Sequence, residues 1–164
     1  MRTAVVAVIV ALSAACFPYG FAGGGLPSNI KTVAVLPFDN ETTASTLQQE
    51  ILTRLTSDVQ GRLGLRAASE GRADAVVRGK ITRYEADIPV AYSANPNQVN
   101  TSARRKLQIT VDVEIVDQTT GRTLWSQKGL TVEGEYAERA EEDGRQLAVQ
   151  KLVDDVIAGA QSQW

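Results

Sequence analysis

Leu107, Ile109, Val111, Val113 and Ile115 take every second position of a stretch whose intervening residues are Gln108, Thr110, Asp112 and Glu114. Side chains of a strand point alternately to opposite faces, so this pattern predicts a β-strand with one apolar and one polar face. Such a strand cannot stand alone. Its apolar face needs a covering layer, and its backbone needs neighbouring strands to satisfy its N–H and C=O groups. Asp117-Gln118-Thr119-Thr120-Gly121 supplies a hairpin turn, with glycine available for a left-handed position. Arg122 to Glu133 is then the returning partner, with Leu124, Trp125 and Leu130 as its apolar anchors.

The rest of the chain supplies the neighbours and the covering layer. Lys31 to Phe38 (KTVAVLPF) is a short apolar run with β-branched residues, bounded by Asn29 and by Asp39-Asn40, and predicts a strand buried on both faces. Ser45 with Gln48, or Thr46 with Gln49, makes a capping-box start, and Leu47, Ile51, Leu55, Val59 and Leu63 follow at helical spacing. Residues 45–60 therefore read as an amphipathic helix stopped by Gly61 or Gly64, and Leu65 to Arg72 as a polar connection. Ala75 to Glu85 sets Val77, Gly79 and Ile81 against Arg78, Lys80, Thr82 and Tyr84, a second strand. Strand, helix and strand of this length form a right-handed crossover between parallel neighbours. Residues 86–103, with Pro89, Pro96 and three asparagines, make a long connection of the kind that is functional or disordered.

A second helix starts from about Glu138. Glu138, Glu141, Glu142 and Asp143 suit its positive end, and Val149, Leu152, Val153, Val156, Ile157 and Ala160 form its apolar face. The expected architecture is an α+β two-layer sandwich, a four-stranded mixed sheet with two helices packed on one face. The open face would carry Arg78, Lys80, Thr82, Gln108, Thr110, Asp112, Glu114 and Gln127.

Upstream of the domain, Arg2 precedes the apolar run Ala4 to Ala15, and Cys16, the only cysteine, follows it. A membrane-crossing helix needs roughly twenty apolar residues, so this shorter run reads as the core of a signal peptide, residues 1–15. Ser13-Ala14-Ala15-Cys16 resembles a bacterial lipobox, with Leu12 one position further out than usual; the alternative is an ordinary secretory signal with a cysteine near the cut. As a lipobox it makes Cys16 the acylated first mature residue. Several acyl chains would hold it stably in a bilayer. Phe17, where an aspartate would favour inner-membrane retention, points to the outer membrane. Residues 16–29, rich in glycine and proline with Phe17, Tyr19 and Phe21 at two-residue intervals, read as anchor and flexible tether, the alternative being a short first strand or a coil packed on the domain, and residues 30–164 as one domain.

Charge narrows the function classes. The chain has 17 basic and 19 acidic residues, and loss of Arg2 with the leader takes its net charge from −2 to −3. Nucleic-acid binding usually demands a basic excess, so none is expected. The absence of histidine removes Ser-His-Asp triads, Cys-His dyads and histidine metal sites, and no enzyme activity or cofactor is expected.

CFPYGFAGGG followed by IKTVAVLPFDNET, then ADAVVRGKITRYE, the hairpin LQITVDVEIVDQTTGRTLW and the closing helix together resemble the LptE family, LPS-assembly lipoproteins of the Gram-negative outer membrane. VAVLPFDN before a helix is also similar to curli-secretion lipoproteins, activators of penicillin-binding proteins and the amino-terminal domain of TolB. The aromatic tether and the hairpin in a short single-domain chain favour LptE. The resemblance implies a plug and assembly partner of the β-barrel LPS translocon LptD, which helps move LPS to the cell surface, binds LPS and turns over no substrate. The runner-up is an accessory lipoprotein of another envelope machine, a curli-type secretion pore or a cell-wall synthase.

Candidate LPS-phosphate ligands are Arg104, Arg105 and Lys106, with Arg78 and Lys80 on the neighbouring strand, since guanidinium forks suit phosphate oxygens. The competing reading is a strand edge blunted by charge. Asp112 with Glu114, and Ser126 with Lys128, have the spacing of an acid-base pair and a Ser-Lys dyad, but alternation on a wet sheet face accounts for both. Trp125 reads as a core or barrel-wall contact.

Overall fold

The computed structural model describes residues 26–90, 104–137 and 139–162. The expected signal peptide, Cys16, the tether as far as residue 25, Glu138 and most of the 86–103 connection lie outside the described residues.

The alternating stretch is an interior strand of the sheet, paired on both sides. In chain order the elements are β1 (Thr32–Val35), β2 (Asp39–Asn40), α1 (Leu47–Leu63), β3 (Arg66–Ala67), β4 (Ala75–Pro89), β5 (Arg104–Asp117), β6 (Thr123–Ala137) and α2 (Glu141–Ser162), with a 3-10 turn at Glu70–Arg72. The sheet runs β3-β1-β4-β5-β6, and β2 also pairs with β4. β1 and β4 are parallel, with Val33 opposite Ala75 and Val35 opposite Val77, as a crossover through α1 requires. β4, β5 and β6 form an antiparallel meander.

Six strands replace the four expected. The two additions, β2 and β3, are two residues each, too short to show any periodicity. β3 falls inside the stretch read as a polar connection, where Thr32 pairs with Arg66 and Val33 with Ala67.

Both helices lie on the apolar face. Leu47, Ile51, Leu55 and Val59 of α1 share one core with Val77, Ile81, Leu107, Ile109, Val111 and Ile115 of the sheet and with Leu152, Val153, Val156 and Ile157 of α2. Each such side chain contributes roughly 1.5–3 kcal/mol through burial, which makes this layer the main source of stability. β1 is buried on both faces, as its sequence predicts: Val33 joins the main core, while Ala34 meets Ala73 and Val76 on the opposite side.

The start of α1 differs from the capping box. Thr46 takes the cap position without a side-chain hydrogen bond. The preceding loop is ordered instead by Asn40, whose Oδ1 accepts from Thr42 N at 2.9 Å and whose Nδ2 donates to the Ala44 carbonyl at 3.0 Å. The helix runs past Gly61 and ends at Gly64, whose φ of 66° is the left-handed conformation that a helix terminus favours. α2 begins at Glu141 with three acidic residues in its first turn. It approaches β6 so closely that a Cβ on Gly134 would lie 1.8 Å from the Gly144 carbonyl oxygen.

Candidate functional site

With both helices on one side, the other face of β4-β5-β6 is open, and the sequence alternation places polar groups there. Register decides which ones. Arg78 lies opposite Glu114, Lys80 opposite Asp112, Gln108 opposite Glu133 and Thr110 opposite Thr131. Directly opposed residues of an antiparallel pair share a face, so these groups sit side by side.

Of four register shifts in these ladders, two move residues expected on the open face. Between Ile81 and Arg83 the register slips, since Ile81 opposes Val111 and Arg83 opposes Thr110. From Arg83 to Glu85 the alternation is therefore reversed. Tyr84, expected on the open face, turns to the helix side, packs against the core and donates to Glu141 Oε1 at 2.5 Å. Between Val113 and Val111, β6 carries Lys128 and Gly129 against the single residue Asp112. Gly129 has φ 65° and donates its N–H to Asp112 Oδ1 at 2.7 Å. This bulge puts Gln127 opposite Val113, hence on the helix side rather than the open face where it was expected, and leaves Ser126 opposite Glu114 on the open face.

The five candidate basic residues do not form one patch. Arg78 and Lys80 sit near the middle of the sheet, whereas Arg104, Arg105 and Lys106 start β5. Six to eight residues of strand, about 20–26 Å, separate Lys106 from Asp112 and Glu114, the partners of Lys80 and Arg78. Arg105 also lies opposite Tyr136, on the helix-side parity, while Arg104 and Lys106 point to the open side.

Each of the five has a carboxylate partner. Arg78 pairs with Glu114 at 2.5 Å, Lys80 with Glu41 at 3.0 Å, Arg104 with Glu135 at 3.6 Å, Arg105 with Asp87 at 3.0 Å and Lys106 with Glu133 at 2.8 Å. The Glu41 carboxylate raises the Lys80 ammonium above its ordinary value. The Lys106 ammonium, helped by Gln108 at 3.1 Å, holds the Glu133 carboxyl below the usual range. The face is a lattice of alternating charge in which these five cations are each neutralised by a carboxylate. Glu133 and Glu135 alternate in β6 as clearly as the cations do in β5, but only the cross-strand register identifies them as counter-ions.

A shallow cleft of about 590 Å³ opens on this face between Leu36-Pro37 and the bulge, with Arg78, Lys80, Ser126 and Lys128 among its walls. Asp112 and Glu114 are each already engaged, one by the Gly129 N–H and the other by Arg78. Trp125 lies opposite Ile115 in the core, against Gly159 of α2. Among the described residues no cluster of acidic, cysteine or histidine side chains is arranged to hold a metal ion.

These features define a class of protein: a two-layer α+β domain with helices on one side and a broad, charged, open sheet on the other. The family model for LptE, lipopolysaccharide-assembly, matches residues 30–158. The chain belongs to the LptE family, a non-enzymatic lipoprotein family associated with LptD and LPS. Solved structures share the fold at low identity. The PelC dodecamer from Paraburkholderia phytofirmans is 16% identical, with TM-score 0.53 over 85% of this chain and 95% of its own. Protein CT253 from Chlamydia trachomatis is 13% identical, with TM-score 0.54 over 82% and 97%. Protein XCC0632 from Xanthomonas campestris is 8% identical, with TM-score 0.55 over 85% and 91%. No curated protein matches the sequence.

Proposed function

We propose that this protein is an outer-membrane lipoprotein, held by acylated Cys16, that occupies the LPS-translocating β-barrel LptD, assists its assembly and aids delivery of LPS to the cell surface. The observation that carries this reading is the family match over residues 30–158, joined to a sheet face suited to a water-lined lumen. A face of paired charges and hydroxyls, such as Thr110 against Thr131 at 3.0 Å, keeps its hydrogen bonds in a wet channel, where an apolar face would not be stable. The fold is shared with solved structures that are only 8–16% identical, so by itself it does not favour the accessory-lipoprotein alternative.

LPS phosphates would engage Arg78, Lys80, Arg104, Arg105 and Lys106 by exchanging with their carboxylate partners. Phosphate offers these cations charge-assisted bonds of the same kind as those they now make. Arg104 and Lys106 hold the exposed end of the open face, with partners at 3.6 and 2.8 Å.

Affinity purification of the protein from its own membranes, with mass spectrometry of partners and of the amino-terminal peptide, tests the reading. A stoichiometric large β-barrel with a diacylglyceryl Cys16 is the expected result. A cell-wall synthase or a ring of this chain alone in its place would overturn it.

A further inference from the structure

The described chain enters the domain at one end of the sheet, and that end has an unusual outer layer of charge. Leu26 and Ile30 pack onto the core there, beside Leu63 and Leu65. Thr32 pairs with Arg66, Val33 with Ala75, and Ala75 with Asp117, so Lys31, Arg66, Asp74 and the 118–122 turn are neighbours at this end. A bond of 2.8 Å from Gln118 N to the Asp74 carbonyl ties the turn to the rest.

Lys31, Arg66, Arg72 and Arg122 are all exposed here and make no ion pair with any described residue. The aspartates of this end are turned inward. Asp74 Oδ2 accepts from Lys31 N at 2.9 Å, Thr32 N at 2.8 Å and Thr32 Oγ1 at 2.8 Å. Asp117, 5% exposed, accepts from Thr119 N at 2.7 Å, Thr120 N at 3.2 Å and Thr120 Oγ1 at 2.9 Å. Arg62 nearby is neutralised by Asp58 and Asp154, and Glu70 is the exposed carboxylate beside Arg72. On the open sheet face, by comparison, the five cations of the candidate site are all paired and Lys128 alone of its lysines and arginines stands exposed without an ion pair among the described residues.

We infer that this end, while the domain is not seated in the barrel, is a docking surface for the anionic headgroups of the leaflet that holds the anchor. The inference rests on the Cys16 anchor of the proposed function. Nine residues, 17–25, separate the acylated position from Leu26, and the ten steps of chain span at most about 36 Å, so the domain stays near its leaflet and the four cations act at high effective concentration. Contacts of this kind are electrostatic and screened by salt within a Debye length of about 8 Å at physiological ionic strength.

The test uses the full-length protein purified from membranes and reconstituted into phosphatidylcholine vesicles with and without phosphatidylglycerol. A fluorophore is attached through Gln118→Cys at this end or Ala137→Cys at the opposite end, and quenching by a headgroup-nitroxide lipid is read. Phosphatidylglycerol is expected to raise quenching at position 118 about twofold or more, leave position 137 unchanged, and lose its effect in high salt. The triple variant Arg66→Ser, Arg72→Ser, Arg122→Ser should abolish the rise. Equal quenching in both vesicles, or an equal rise at both positions, overturns the docking surface while the anchor stands. Failure of the protein to associate with either vesicle overturns the anchor, and the docking surface with it.

Discussion

At the scale of single residues, the seam between α2 and β6 is set by glycine. A Cβ on Gly134 would stand 1.8 Å from a helix backbone oxygen, which cannot rotate away as a flexible side chain could. Gly134→Ala should therefore destabilise the protein by about 2–3 kcal/mol in urea unfolding, whereas Gly71→Ala, with no heavy atom within 4 Å of its Cβ, should be close to neutral. Asp74 and Asp117 make a pH prediction of definite sign. The backbone N–H of Lys31 chiefly lowers the first carboxyl, and the Thr120 hydroxyl the second. A carboxyl lowered in the folded state stabilises above the unfolded value, near pH 4, and that contribution is lost as pH falls through the lower folded value. Unfolding midpoints measured from pH 6 to pH 2 should fall below about pH 4. The fall should be shallower in Asp117→Asn and in Asp74→Asn, and an unchanged acid limb in both would remove these groups from its cause.

At the scale of elements, what the sequence made legible is what has a period. β5 alternates from Leu107 to Ile115 without interruption, α1 repeats every fourth residue, and both appear where the spacing predicts them. The helix-sheet layering follows from the same faces. The misreadings have a common physical origin, because a bulge adds one residue and reverses every face beyond it. Thr82 carried Tyr84 from the open face to the core side, and Lys128-Gly129 did the same for Gln127. The slip at Thr82 leaves no mark in a single sequence, whereas Gly129, a glycine inside a strand, is the residue type that a bulge favours. The strands β2 and β3 escaped for want of length, and the pairing of Lys106 with Glu133 depends on register alone. The displaced Tyr84 now staples β4 to α2. Burial, and then the bond to Glu141, pushes its phenol up to about 12. A raised folded value means that this contribution is intact below the unfolded pKa near 10 and is lost as pH rises through 12. Ultraviolet titration should show a late phenol that disappears in Tyr84→Phe, with a loss of about 0.5–1.5 kcal/mol in stability near neutral pH.

At the scale of the whole molecule, the division of labour between the two faces governs what substitutions can reveal. The helix side holds the core, so changes there act through folding and are poor probes of partnership. Exposed ion pairs typically contribute about 0–1 kcal/mol, so the open face can be altered with the domain intact. Arg78→Ala, Lys80→Ala and Lys106→Ala should each move the unfolding midpoint of the isolated protein little. β4, at 15 residues, is about 50 Å long, against an apolar band of about 25 Å in an outer-membrane barrel, so a domain lodged in the lumen presents different parts of its sheet at different depths. If the open face meets the barrel wall, a photo-crosslinker at Thr110, mid-sheet on that face, should capture the barrel in intact membranes. One at Gln146, on the exposed side of α2, should capture it far less. Capture from Gln146 with none from Thr110 would turn the domain around, placing the helices against the partner and leaving the charged sheet to face the channel.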